Sequence, residues 1–255
     1  MMHAMIFSSI RVASYNIHKG LSQFNRRLIV HELKERLRLL GADIVFLQEV
    51  LGDHEAHPQR FPHWPGRPQH EFLADSVWQD YAYGRNAVYD EGHHGNAILS
   101  RFPIVQWDNE DISAHNLESR GMLHCHIAVP GWKQPLHAIN VHLGLTEGGR
   151  RRQLDMIRSR ILAEVPAGDP LILAGDFNDW RVRACRYLGA NLGLRDAFKI
   201  HQGRPARSFP ALIPLLPLDR IYVRDLQVEA AEVHSGRNWR RLSDHAALTA
   251  TLQQR

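Results

Sequence analysis

Eight residues in this chain have side chains capable of chemistry and stand where short apolar runs begin or end. Asn16 follows VASY, Glu49 follows IVFLQ, His142 follows INV, and Asp176 and Asn178 follow LILAG; Asp219 precedes RIYV, and Asp244 with His245 precedes AALTA. Runs of this length and composition read as strands, and strand ends are where loops assemble sites on a rigid scaffold. Glu49, Asp176 and Asp244 offer carboxylate oxygens, and Asn16 and Asn178 offer amide oxygens. Such donors suit Mg²⁺ or Mn²⁺, not structural zinc, which would take a Cys/His tetrad. His142 and His245 can donate protons or stabilise developing negative charge. A carboxylate-held divalent cation beside histidine is the equipment for hydrolysing a phosphate ester.

The elements that position these residues are legible as strands and two helices. Strand-like runs occupy 11–16, 43–48, 96–100, 136–142, 171–174 and 220–223, and helical spacing of apolar residues covers 26–40 and 149–165. Helices are too few for strict βαβ alternation, so packed sheets with helices outside them are expected. The 255 residues, with no repeat or Gly/Ser linker, read as one domain whose core runs from about residue 11 to residue 250. With 44% hydrophobic and 23% charged residues the chain can bury a core; collagen, a disordered tail and a disulfide miniprotein are excluded. Cys125 and Cys185 form no C-x-x-C motif, which fits a reducing compartment or core packing. The chain holds no apolar run long enough for a transmembrane segment, and MMHAMIFSSIRVAS lacks the pattern of a signal peptide. A cytoplasmic monomer is the expectation.

Seven ordered motifs, ASYNIHKG, FLQEV, GNAILSRFPI, NVHLG, AGDFND, PLDRIYV and SDHAAL, resemble the endonuclease/exonuclease/phosphatase (DNase I-like) superfamily. FNRR and YGRNAVY…GHHGNA are similar to a bacterial branch labelled as endonucleases. The resemblance implies a four-layer α/β/β/α sandwich, two packed mixed sheets with outer helices, with the site at one end where the sheets meet. It implies that Glu49 binds the metal with Asn16 beside it and Asp244 nearby, that Asp176 activates or orients water with Asn178 as amide partner, and that His245, oriented by Asp219, contacts the scissile phosphate. His142 matches a second catalytic histidine of DNase I-like and sphingomyelinase-like members. His18 stands where abasic-site enzymes tend to have aspartate, and is either a substrate contact or a loop histidine.

Other residues carry alternatives. Arg85 and Asn86 resemble a substrate-backbone pair, although an ion-paired Arg85 reads equally well. Asn96 is either a site residue or a strand-start turn, and Glu91 is a candidate to orient His142. Trp180 and Trp239 either stack on a base or sugar or simply pack. The histidines between His54 and His94 read as a solvated cluster. The prolines of FPALIPLLPL (209–218) forbid a regular helix; the segment either covers a sheet edge, the favoured reading, or touches something apolar. A net charge of +4 suits a polyanionic partner. Nucleic acid is the first expectation, anionic phospholipid or a small phosphoester the second, and a non-catalytic binding module a remote third.

Overall fold

The computed structural model describes residues 7–22, 27–116 and 118–255. In chain order the strands are β1 Ser9–Asn16, β2 Ile44–His54, β3 Asp80–Tyr89, β4 Gly92–Ser100, β5 Ile104–Asp111, β6 Gly121–Ile127, β7 Leu136–His142, β8 Leu171–Asp176, β9 Arg195–Asp196, β10 Asp219–Arg224, β11 Leu226–His234 and β12 Ala247–Gln254. The α-helices are α1 Val30–Leu39, α2 His57–Arg60, α3 Gln69–Ala74, α4 Glu147–Glu164, α5 Arg183–Leu192 and α6 Ala197–Gln202. Two six-stranded mixed sheets form, ordered β11-β12-β1-β2-β4-β3 and β5-β6-β7-β8-β10-β9. Each has one parallel pair near its middle, β1 with β2 and β7 with β8.

Strands covered on both faces lose polar alternation and read as near-continuous apolar runs. In β8, Ile172 and Ala174 pack between the sheets, whereas Leu171 and Leu173 pack outward with Leu154, Ile157 and Ile161 of α4 and Leu188 of α5. In β1, Val12 faces the other sheet, and Ala13 and Tyr15 face Leu33 and Leu37 of α1. Three apolar layers therefore separate four structural layers, α/β/β/α, as expected.

The helices differ at their ends. The predicted 26–40 helix is observed as Val30–Leu39, Arg26 lying outside the described residues, as do Phe24 and Asn25 of the FNRR motif. It stops at Gly41, whose φ of +61° suits a residue without a Cβ. The helix predicted from 149 begins at Glu147, because Thr146 caps it by accepting from the Gly149 N–H at 3.2 Å.

A period of two along each central strand carries the inter-sheet face from apolar residues to a chemically active one at the strand's end. Val12, Ser14 and Asn16 of β1 share that face, as do Ala138, Asn140 and His142 of β7, and Ile172, Ala174 and Asp176 of β8. Asn140 is fully buried and stitches the sheets together. Its Nδ2 donates to the carbonyls of Leu47 (2.8 Å) and Ala97 (2.9 Å), and its Oδ1 accepts from Gln48 Nε2 (2.8 Å). Asn140→Ala strands these partners away from water and is expected to cost roughly 2–3 kcal/mol of stability. Urea unfolding measures this; a cost under about 0.5 kcal/mol, the usual range for a surface substitution, would refute the stitching role.

Candidate active site

Strand register assembles one half of the site. His142 pairs with Asp176 across β7 and β8, and Asp176 with Asp219 across β8 and β10, so three functional side chains occupy one rung at the sheet's end. The other half comes from the first sheet, where Asn16 ends β1 beside Gln48 of β2. The β2–β4 register slips between Leu47 and Val50, and Glu49 there has φ +56°. Such a bulge re-aims a side chain and brings the Glu49 carboxylate to Asn16. His18, Lys19 and Asn178 also have positive φ, a conformation that non-glycine residues hold at a cost and that clusters at functional sites.

Asn16 joins the halves. Its Nδ2 donates to Glu49 Oε1 at 3.1 Å and to Asp176 Oδ2 at 3.2 Å, and its Oδ1 accepts from the His18 N–H at 3.1 Å. The amide nitrogen, not the oxygen expected to face a metal, therefore points at the carboxylates. Asp176 Oδ1 accepts from the Asn178 N–H at 2.9 Å, and Asn178 Nδ2 donates to the Leu143 carbonyl at 2.9 Å. Asp176 Oδ2 lies 3.5 Å from His142 Nε2 and 3.7 Å from His245 Nε2. His245 Nδ1 meets Asp219 Oδ2 at 2.8 Å. The Ser243 hydroxyl, donating to the Asn16 carbonyl at 2.7 Å and accepting from the His245 N–H at 3.1 Å, ties the SDH segment to β1. Asp244 Oδ1 is 3.6 Å from His18 Nδ1, which is 3.9 Å from Glu49 Oε2.

The two histidines are driven in opposite directions. Burial lowers the pKa of His142, and Asp176 offsets this only in part. Burial opposes the charged form of His245 too, but Asp219, Asp176 and Asp244 override it and raise the ring to about 10. Burial pushes the Glu49 carboxyl up, yet His142, Asn16, His18 and Lys19 hold it below the usual value.

A stability prediction follows from His245. Its folded pKa lies above the ordinary 6.5, so its contribution is complete below about 6.5 and is lost as pH rises through about 10. In EDTA, the urea-midpoint advantage of wild type over Asp219→Asn should shrink across that window. An advantage that is constant or grows would contradict the pairing.

Glu49, Asp176 and His245 line a cleft of about 460 Å³ together with Lys19, His94, Arg120, Leu145 and Phe209. The sequence gives no signal for Lys19 and Arg120, and His94 reads there only as one of a solvated histidine cluster. His94 lies two residues from Asn96 on the same face of β4 and reaches the cleft. Asn96 sits one step deeper, 1% exposed, with its Nδ2 donating to the Gly121 carbonyl at 3.0 Å. Burial holds His94 down at about 4, a neutral ring. The carboxylates of Glu49, Asp176 and Asp244 are hard oxygen donors that fit Mg²⁺ or Mn²⁺, and buried Asp219 Oδ1 has no hydrogen-bond partner among the described residues. Asp176, Asp219 and His245 also bring ligand atoms within 4.8 Å of one another.

Apart from His94, Phe209 and Leu218, the remaining candidates lie outside the cleft lining. Arg85 is exposed on the outer strand β3, and Asn86 Oδ1 accepts from Asn109 Nδ2 at 3.3 Å. Glu91 lies 4.0 Å from His54, not beside His142. Trp180 is 50% exposed with the Arg181 guanidinium 4.5 Å above its ring, whereas Trp239 packs edge-on to Tyr15. His63 is exposed, but other 54–94 histidines are packed rather than solvated: His54 stacks on His57 with centroids 3.4 Å apart, and His70 stacks on Tyr83 at 4.4 Å. The 209–218 segment is not the buried piece expected, being buried only at Ala211 and Leu218. Its closely spaced prolines let Phe209 turn toward the His245 ring (5.1 Å between centroids), while Leu212, Ile213 and Leu215 stand 56%, 62% and 58% exposed.

A four-layer sandwich with carboxylates, amides and histidines gathered at one end defines a hydrolase scaffold of a particular kind. The family model described as "Endonuclease/Exonuclease/phosphatase family" matches residues 13–245, and the chain belongs to that family. The uncharacterized protein YbhP of Escherichia coli K12 is 50% identical over 244 residues, 96% of each chain. Mannosyl-6-phosphatase Bt3783 of Bacteroides thetaiotaomicron shares the fold at TM-score 0.71 and 19% identity, over 95% of this chain and 99% of that one. D. rerio TDP2, solved with a single-strand DNA product, aligns at TM-score 0.69 and 18% identity, over 97% of this chain and 100% of that one. Members of this family hydrolyse phosphoesters and generally use divalent metals. Among the described residues no helix is long and apolar enough to cross a membrane.

Proposed function

We propose that this protein is a divalent-metal-dependent phosphodiesterase acting on nucleic acid. The observation that carries the reading is the convergence of Glu49, Asn16, Asp176, His142 and the Asp219–His245 pair on one cleft. Glu49, with Asp244 nearby, would hold Mg²⁺ or Mn²⁺, which when bound polarises a phosphoryl oxygen and neutralises developing charge. Asp176, fixed by the Asn178 N–H, orients the attacking water and accepts its proton. His245, kept protonated by Asp219, Asp176 and Asp244, donates from Nε2 to a phosphoryl oxygen. His142, kept neutral by burial, hydrogen-bonds the phosphate or the leaving oxygen. Two like groups pushed to opposite protonation states in one site is how a fold divides acid and base work.

The substrate class rests on a second cleft, of about 700 Å³, between α4 and α5. Leu143 and Asp179 on its wall directly follow His142 and Asn178, and Arg150, Arg151, Arg181, Arg183 and Arg186 line it. Glu147 pairs with Arg181 and Arg183, and buried Arg150 donates to the Gly144 and Leu145 carbonyls, which leaves Arg151 and Arg186 to face a polyanion. Exposed Trp180 beside this basic track suits a base of a single strand. A specific observation also favours a second reading, a phospholipid substrate: Leu212, Ile213 and Leu215 are exposed on the loop that reaches the cleft.

Two binding measurements separate the readings. For nucleic acid, binding of a fluorescent oligonucleotide falls steeply with salt, and Arg151→Ala/Arg186→Ala reduces the log–log slope by about 0.7 per lost single-strand phosphate contact. For lipid, the slope is indifferent to the arginines, while sedimentation with phosphatidylglycerol vesicles is abolished by Leu212→Ser/Leu215→Ser.

A further inference from the structure

The outer face of the second sheet carries a feature that the cleft chemistry does not use. There, beneath α4, the otherwise apolar layer of Met122, Ile139, Val141, Leu171 and Leu173 is interrupted by His124 and His126 of β6 and His137 of β7. His126 and His137 are cross-strand partners, and His124 lies two residues along β6 on the same face. The three ring centroids stand 4.5, 4.7 and 5.2 Å apart, and the three offer ligand atoms within 4.8 Å of one another.

We propose that His124, His126 and His137 form a metal site for a zinc-class divalent ion, separate from the hydrolytic cleft. His137 is the second residue of β7 and His142 ends it, five residues or roughly 16 Å away at about 3.3 Å per residue. Zinc–nitrogen bonds of about 2.0 Å at tetrahedral angles set ligand nitrogens about 3.3 Å apart and ring centroids about 5 Å apart. His124 Nε2 and His137 Nδ1 are 3.0 Å apart, so the rings need only a small adjustment to admit the ion.

The surroundings fit the same role. His137 Nε2 lies 3.4 Å from Asp169 Oδ2, the carboxylate–histidine arrangement that orients a metal-ligating imidazole. His124 is fully buried, and its Nδ1 has no hydrogen-bond partner among the described residues, an outlay that apolar side chains would avoid. Burial, with His126 and His137 adding to it, brings His124 down to about 3, so the ring is neutral. Arg160 and Arg224 are close, but Asp108 (2.6 Å), Glu164 (3.7 Å) and Glu110 (3.9 Å) surround Arg160, and Asp225 (3.5 Å) pairs with Arg224. His126 is half-buried and opens the site to the ion and to the water that would complete its shell. A bound ion would tie β6, β7 and the Asp169 turn together beneath α4.

The test uses the full chain, stripped with chelator, held in excess Mg²⁺ and dialysed against Zn²⁺. Bound zinc is counted by elemental analysis in wild type, Glu49→Gln and His126→Ala, the last checked for folding by circular dichroism. One zinc per chain in wild type and Glu49→Gln, weakened by more than roughly 100-fold in His126→Ala, is the expected result. Co²⁺ added to wild type should independently give the visible bands of a four-coordinate nitrogen-ligated ion. Zinc binding untouched by His126→Ala, or no zinc in the Glu49→Gln protein together with no such Co²⁺ bands, would overturn the proposal.

Discussion

Replacing His245 with alanine is expected to lower kcat by roughly 10²–10⁴-fold, the usual worth of a positioned acid or base, with a far smaller change in KM. The ring is 6% exposed and stands between Asp219 and Asp176, with Asp244 adding charge. Its removal takes away the cleft's charged imidazole donor and leaves carboxylates that repel a phosphate. Asp219→Asn tests the arrangement more finely, because the ring stays while its counter-charge goes. The imidazole then falls back toward its ordinary 6.5, so the variant's rate should decline as pH rises through neutrality, where wild type holds level. Steady-state rates from pH 5 to 9 read this directly. Parallel pH profiles for the two proteins would show that Asp219 does not sustain the charge on His245.

Glu49→Gln is expected to shift the Mg²⁺ concentration giving half-maximal rate upward by at least 10–100-fold, the loss typical when even an outer partner of a metal site is changed. The substitution keeps the shape and the capacity to meet Asn16 Nδ2 but removes a charge. The carboxylate has no covalent role to lose, so high Mg²⁺ should restore part of the rate. A lower kcat with an unmoved Mg²⁺ dependence would assign Glu49 to substrate contact instead. Added Mg²⁺ should do nothing for His245→Ala, which separates the two variants by mechanism.

Much of this was legible because the central strands are buried on both faces. IVFLQ, INV and LILAG announce themselves as strands, and their polar terminators fall on the inter-sheet face at one end. Three of the residues gathered there, His142, Asp176 and Asp219, share a rung. What the sequence hid depends on neighbours distant along the chain. Asn96 and Asn140 are the same residue type on the same kind of face as Asn16, and only their depth between the sheets makes them structural. The bulge that aims Glu49 leaves no pattern, since one extra residue in β2 looks like ordinary strand. Edge strand β5 ends in acidic and amide residues, QWDNED, which disguise it as loop. Lys19, His94 and Arg120 reach the cleft from neighbouring loops and strands whose convergence no spacing rule predicts. The apolar 209–218 segment resembles a core piece, but its prolines turn Phe209 inward and its leucines outward.

The activity proposed for the Asp176–His245 cleft is metal-dependent hydrolysis of a phosphodiester. Hydrolysis of bis-p-nitrophenyl phosphate and p-nitrophenyl phosphate, with Mg²⁺, with Mn²⁺ and with EDTA, tests it most directly beside single-stranded DNA, RNA and phospholipid substrates. Cleavage of the diester and of a nucleic acid, abolished by EDTA and by His245→Ala, is the expected result. Turnover that persists in EDTA, cleavage of the monoester alone, or no turnover of any substrate by the folded, metal-supplied protein would contradict it.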